Sequence, residues 1–94
     1  MKGTIPIDFP GADVVVAGIA DLLNGRETIA ALLVSIGTPR LRREGVDIPA
    51  PISSPEIKLY RRLSVDNPDA AHSRYNALIR RLVSFERALS CVNR

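Results

Sequence analysis

The sequence predicts an all-α fold: a small irregular bundle of about five helices, with an extended N-terminal arm and a long C-terminal helix. Three observations carry this. Over residues 67–92 the apolar positions Ala71, Tyr75, Leu78, Leu82, Phe85, Leu89 and Val92 recur at alternating spacings of four and three. That is the period of one helix face turned to a core. Elsewhere Gly, Pro, Asn and Ser punctuate the chain at helical lengths. The alternating stretch Thr4–Pro10 carries Pro6 and Pro10, and proline cannot donate to a strand ladder.

Residues 1–10 therefore form an extended arm that lies over its own core or crosses to a second copy. Ala12–Leu23 is locally ambiguous. Val14-Val15-Val16 favours a strand by propensity, whereas Asp13 as a cap and Asn24-Gly25 as a stop frame a helix. The frame is followed, with Val15, Ile19, Leu22 and Leu23 on one face. Glu27–Ile36 is apolar nearly all round, and a helix without a polar face belongs in the middle of a fold. Gly37 ends it, and Thr38-Pro39 opens a short helix to Glu44 that Gly45 closes. The connector 46–53 carries Pro49 and Pro51 and is extended. Ser53 and Glu56, at capping-box spacing, open a helix to about Ser64 with Ile57, Leu59, Tyr60 and Leu63 inward. Asn67-Pro68-Asp69 then caps and opens the last helix.

The 94 residues make a single domain. Its apolar share of 46% is that of a globular chain, and its one cysteine, Cys91, allows no intrachain disulfide. That suits a reducing, cytoplasmic setting. The longest uncharged run, Thr28–Pro39, is 12 residues, short of a membrane span. Asp8 and Asp13 interrupt the apolar residues after Lys2, against a secretory signal.

The net charge of +3 divides into −2 over residues 1–37 and +5 over residues 38–94, and 11 of the 13 basic residues are Arg. Arg favours bidentate contact with carboxylate or phosphate. Arg40, Arg42, Arg43, Arg61, Arg62, Arg80 and Arg87 are the candidate contacts to an anion or to nucleic acid. Pro39–Glu44 has barely two turns and only Leu41 to anchor it, a weak match to a recognition helix. Aromatic residues that could stack on bases are scarce. A solvated Arg-rich face with local salt bridges is the commoner meaning of such charge.

Glu86 is the most informative single charge. It lies beside the apolar stripe with no basic partner on its own helix, so a donor must come from Arg40, Arg42 or Arg61. His72 has Asp69 one turn before it as an acceptor. Cys91 is 19 residues, roughly 28 Å, further along the same helix, so no zinc or Cys–His pairing assembles. Neither Asn24-Gly25-Arg26 nor Gly37-Thr38-Pro39 matches a phosphate-cradling loop. No catalytic residues, metal or cofactor are expected, and the chain is read as a non-enzyme.

A last helix of 25 residues would be about 37 Å long, and a compact domain of this size is only about 32 Å across. Part of its apolar stripe should then project beyond the core and mark an interface. Tyr75, Leu78, Leu82, Phe85, Leu89 and Val92 are the expected contact residues of a homodimer. The sequence thus points to a protein-interaction or regulatory module that self-associates through its C-terminal helix. A nucleic-acid-binding protein using the Arg-rich surface of residues 38–87 is the alternative.

Overall fold

The computed structural model describes residues 8–92. Most of the arm foreseen over residues 1–10 lies outside them. Four helices follow in order, α1 (Ala12–Leu23), α2 (Ile29–Arg43), α3 (Pro55–Asp66) and α4 (Ala71–Val92), and the described residues contain no strand. They pack as a small irregular bundle around α2, which touches each of the other three.

Helix α1 forms where the stop signals frame it, so the frame outweighs the valine run. Its cap differs from expectation: Gly11 takes the N-cap at φ 78°, and Asp13 sits in the first turn. An α1 Cβ at Gly18 would lie 2.4 Å from both the Ala30 carbonyl oxygen and Val34 Cγ2. Only a glycine lets α1 and α2 cross this closely. Leu23, expected on the inner face, is 70% exposed.

The central position of α2 follows from its all-round apolar surface: Ala31, Leu32, Leu33 and Val34 are fully buried. Thr28 caps it, its hydroxyl accepting from the Ala31 N–H at 3.1 Å and donating to Asp21 Oδ2 at 2.6 Å. The expected break at Gly37 and the separate helix after Pro39 do not form. One helix runs through both to Arg43, which reduces five helices to four. Proline inside a helix costs about 3 kcal/mol and glycine about 1 kcal/mol. Continuity is favoured because it keeps Leu41 fully buried and Thr38 nearly so. Gly37 also lies directly against α4, where a Cβ would sit 2.8 Å from Glu86 Oε2 and 2.9 Å from Leu82 Cδ1.

The connector 46–53 is irregular and wraps the surface as foreseen. Val46 and Ile48 are buried, and three hydrogen bonds tie it to α2: the Val46 N–H donates to the Leu41 carbonyl at 2.9 Å, Arg42 Nη2 donates to the Ile48 carbonyl at 2.7 Å, and the Ile52 N–H donates to Ser35 Oγ at 3.0 Å. Ala50 and Ser54 have positive φ, 38° and 49°. The Ser53–Glu56 capping box does not form; Ser54 is the N-cap of α3 and makes no side-chain cap. Leu59 and Leu63 face the core, whereas Ile57 (59%) and Tyr60 (41%) are exposed rather than inward.

Asn67 Oδ1 accepts from the Ala70 N–H at 3.3 Å, so the expected capping side chain is in use. Residues 68–70 form a turn, however, and α4 has 22 residues rather than 25.

Candidate interaction surface

The six residues expected at a dimer contact separate by depth. Leu82, Phe85 and Leu89 are 2%, 0% and 7% exposed within a single copy. Phe85 packs edge-to-face on Phe9 at 6.2 Å, and the Gly11 backbone lies against Arg81 and Phe85. Of Phe85, Leu89 and Val92, some of which are expected to project beyond the core, Phe85 and Leu89 are enclosed and Val92 alone projects. The molecule is elongated, 40 × 25 × 19 Å, and a helix of 22 residues, about 33 Å, fits along its long axis. A spherical domain of this size would be only about 32 Å across, and the elongation removes the overhang. Tyr75 and Leu78 remain half-buried, and Val92 is 64% exposed.

Tyr75 and Leu78 have company that sequence reasoning assigned to the core. The short connector turns α4 back along α3, and the Tyr60 and Tyr75 rings meet at 5.8 Å. One turn further from the connector on each helix stand Ile57 and Leu78, so the four extend one apolar face. Burial raises the Tyr75 phenol above its ordinary pKa, and the nearby Glu56 carboxylate adds to this. The missed signal was the width of the α3 stripe: Leu59 and Leu63 alone satisfy its core contact.

The basic residues also divide. Arg40, Arg43 and Arg87 line one end of a groove between α2 and α4, together with Glu44, Glu86, Val83 and Ser90. Arg61 and Arg62 belong to a different depression on α3, beside Lys58 and Asp66. Arg42 is spent on the Ile48 carbonyl. Arg80 is exposed and lines neither depression. Two further arginines are tied down locally, Arg74 on Asp66 and Arg81 on Asp13 at 2.6 Å.

Glu86 finds its donor on α2: Arg40 Nη1 lies 3.5 Å from Oε1, one of the three partners the sequence offered. Glu86 is 7% exposed while the Arg40 side chain is 69% exposed. Burial pushes the Glu86 carboxyl above its ordinary range, and the Arg40 charge partly offsets this. The contact is long for a charge-assisted hydrogen bond, and the carboxylate opens to the groove.

His72 pairs with Asn76 one turn on, at 3.2 Å, rather than with Asp69. Cys91 is exposed. Among the described residues no group of three or more His, Cys, Asp or Glu is clustered to hold a metal ion, and no helix is long and apolar enough to cross a membrane. Comparison of the chain with protein-family models, curated proteins and solved structures gives no match.

Proposed function

We propose that this chain is a helical interaction module, without catalysis, that pairs with a second copy through the face shared by α3 and α4. The observation that carries the reading is the exposure of Ile57 and Tyr60 beside half-open Tyr75 and Leu78. Contiguous apolar side chains at a surface mark interfaces more often than scattered ones do. A twofold pair is the simplest occupant, because it brings the same patch from both sides and needs no other gene product. The contact proposed is thus centred on the first half of α4 and on α3, not on the buried Phe85 and Leu89.

The Arg-rich surface supports nucleic-acid binding less well. Its charges fall into two separate groups, with Glu44 and Glu86 set inside one of them. A phosphate backbone is held best by an uninterrupted basic stripe.

Sedimentation equilibrium tests the reading. The wild type should pass from monomer to dimer with concentration, and the double variant Ile57→Asp, Tyr60→Asp should stay monomeric. Val16→Asp, at an exposed position on α1, should dimerise as the wild type does. A wild type that remains monomeric at every concentration refutes the proposal.

A further inference from the structure

The α2–α4 groove continues past the Arg40–Glu86 pair in both directions. Towards the start of α2 it is apolar, walled by Ile36, Pro39, Ile79 and Val83 with Gly37 in its floor. Towards the end of α2 it is walled by Arg43, Arg87 and Glu44, and its lining sets three arginines against two carboxylates. The two halves share Arg40, Val83 and Glu86, so they are one channel with a polarity gradient.

We infer that this groove docks an acidic peptide segment, with an apolar side chain at the Ile36–Ile79 end and a carboxylate between Arg43 and Arg87. Charge complementarity is the main argument. Among the described residues neither Arg43 nor Arg87 forms an ion pair, and a guanidinium recognises a carboxylate through two parallel N–H donors. Between the two ends the Glu86 carboxylate offers an acceptor for a main-chain N–H group, which a peptide supplies and a phosphate diester does not, and the Ser90 hydroxyl offers another at the basic end. Each half holds about 250 Å³, room for an individual side chain at either end of the channel. The inference deepens the interaction-module reading but uses a different face, so failure at either face leaves the other intact.

The full-length chain is titrated into a short fluorescein-labelled peptide of leucine and glutamate, read by anisotropy, with amide shifts mapping the contact. Binding should move the Ile79, Val83 and Ser90 amides. It should weaken at least about tenfold, the equivalent of about 1.4 kcal/mol, in Arg43→Glu, Arg87→Glu, which alters exposed side chains only. Val83→Asp should weaken it from the apolar side. Arg61→Glu, Arg62→Glu on α3 should bind as the wild type does, and Ile57→Asp, Tyr60→Asp, which breaks the proposed dimer, should also bind unchanged. A glutamine-for-glutamate peptide should bind at least about tenfold more weakly. Any of three results overturns the inference: no peptide binding, equal loss in the α3 arginine variant, or a DNA duplex that displaces the peptide at lower concentration than the unlabelled peptide does.

Discussion

Truncating Phe85 decides whether the apolar side of α4 serves this chain's own core or a neighbour's. The ring is fully buried in one copy, against Phe9 and the Gly11 backbone. Phe→Ala in a closed core costs about 3–5 kcal/mol, the sum of lost transfer energy and the cavity left behind. A chain of this length is stable by only about 5–14 kcal/mol, so the variant loses a large part of the total. Each kcal/mol shifts the midpoint of a domain this size by about 4–8 °C, so Tm should fall by about 12 °C or more. The assay is thermal unfolding followed by circular dichroism, repeated over a hundredfold range of protein concentration. The loss should be the same throughout, because the cavity's walls all belong to one chain. A small loss, or one that grows as the protein is diluted, would place the ring at an interface and refute the enclosure described above.

Gly18→Ala gains about 1 kcal/mol of helix propensity but sets a methyl 2.4 Å from an α2 carbonyl. Overpacking costs about 1–3 kcal/mol, and a backbone neighbour puts it at the top of that range. Urea unfolding should show a net loss of about 2 kcal/mol, and a gain would mean that the helices are not in contact there. For Glu86, a raised folded-state pKa means that protons bind the native state more tightly than the unfolded one. Its contribution to stability is therefore full at low pH and is lost as pH rises from the ordinary carboxylate range through the raised value. Glu86→Gln should gain on the wild type over that window; a wild type that gains on the variant contradicts it. Asp13 has the opposite sign: its hydrogen bond from Arg81 lowers its pKa. That contribution is present above the unfolded value and lost as pH falls through the folded one. Carbon-detected titration should find Asp13 below the usual Asp range and returned to it in Arg81→Gln; an unchanged midpoint would remove the pairing.

Periodicity made the helices legible, and chain punctuation made most of their ends legible. Residues 12–23, 29–43, 55–66 and 71–92 all fall on stretches where apolar spacing or stop signals pointed to helix. What misled was punctuation whose local meaning tertiary contact overrides. Gly37 stops a helix in isolation, yet here its missing side chain lets α4 seat on α2, and Leu41 draws the helix on through Pro39. At the candidate site, Glu86 announced its need for a partner because no cation is spaced correctly on its own helix. The choice of Arg40 over Arg42 and Arg61 required the α2–α4 crossing, which no local pattern encodes. The open α3 face was hidden for a similar reason. Ile57 and Tyr60, three apart, fit helical periodicity as well as Leu59 and Leu63, four apart, and only the placement of α2 decides which pair is covered.

Ser35 has a consequence out of proportion to its size. Its hydroxyl donates to the Ala31 carbonyl and accepts the Ile52 N–H, between two non-glycine residues, Ala50 and Ser54, in left-handed backbone. That conformation costs roughly 1–2 kcal/mol per residue, so the loop is wound against its own preference and held there by Ser35 together with the Arg42–Ile48 and Val46–Leu41 hydrogen bonds. Ser35→Ala would take from the Ile52 N–H its acceptor and remove one of the bonds that hold this winding. One side-chain oxygen thus joins a turn in the middle of the bundle to the loop that leads into α3.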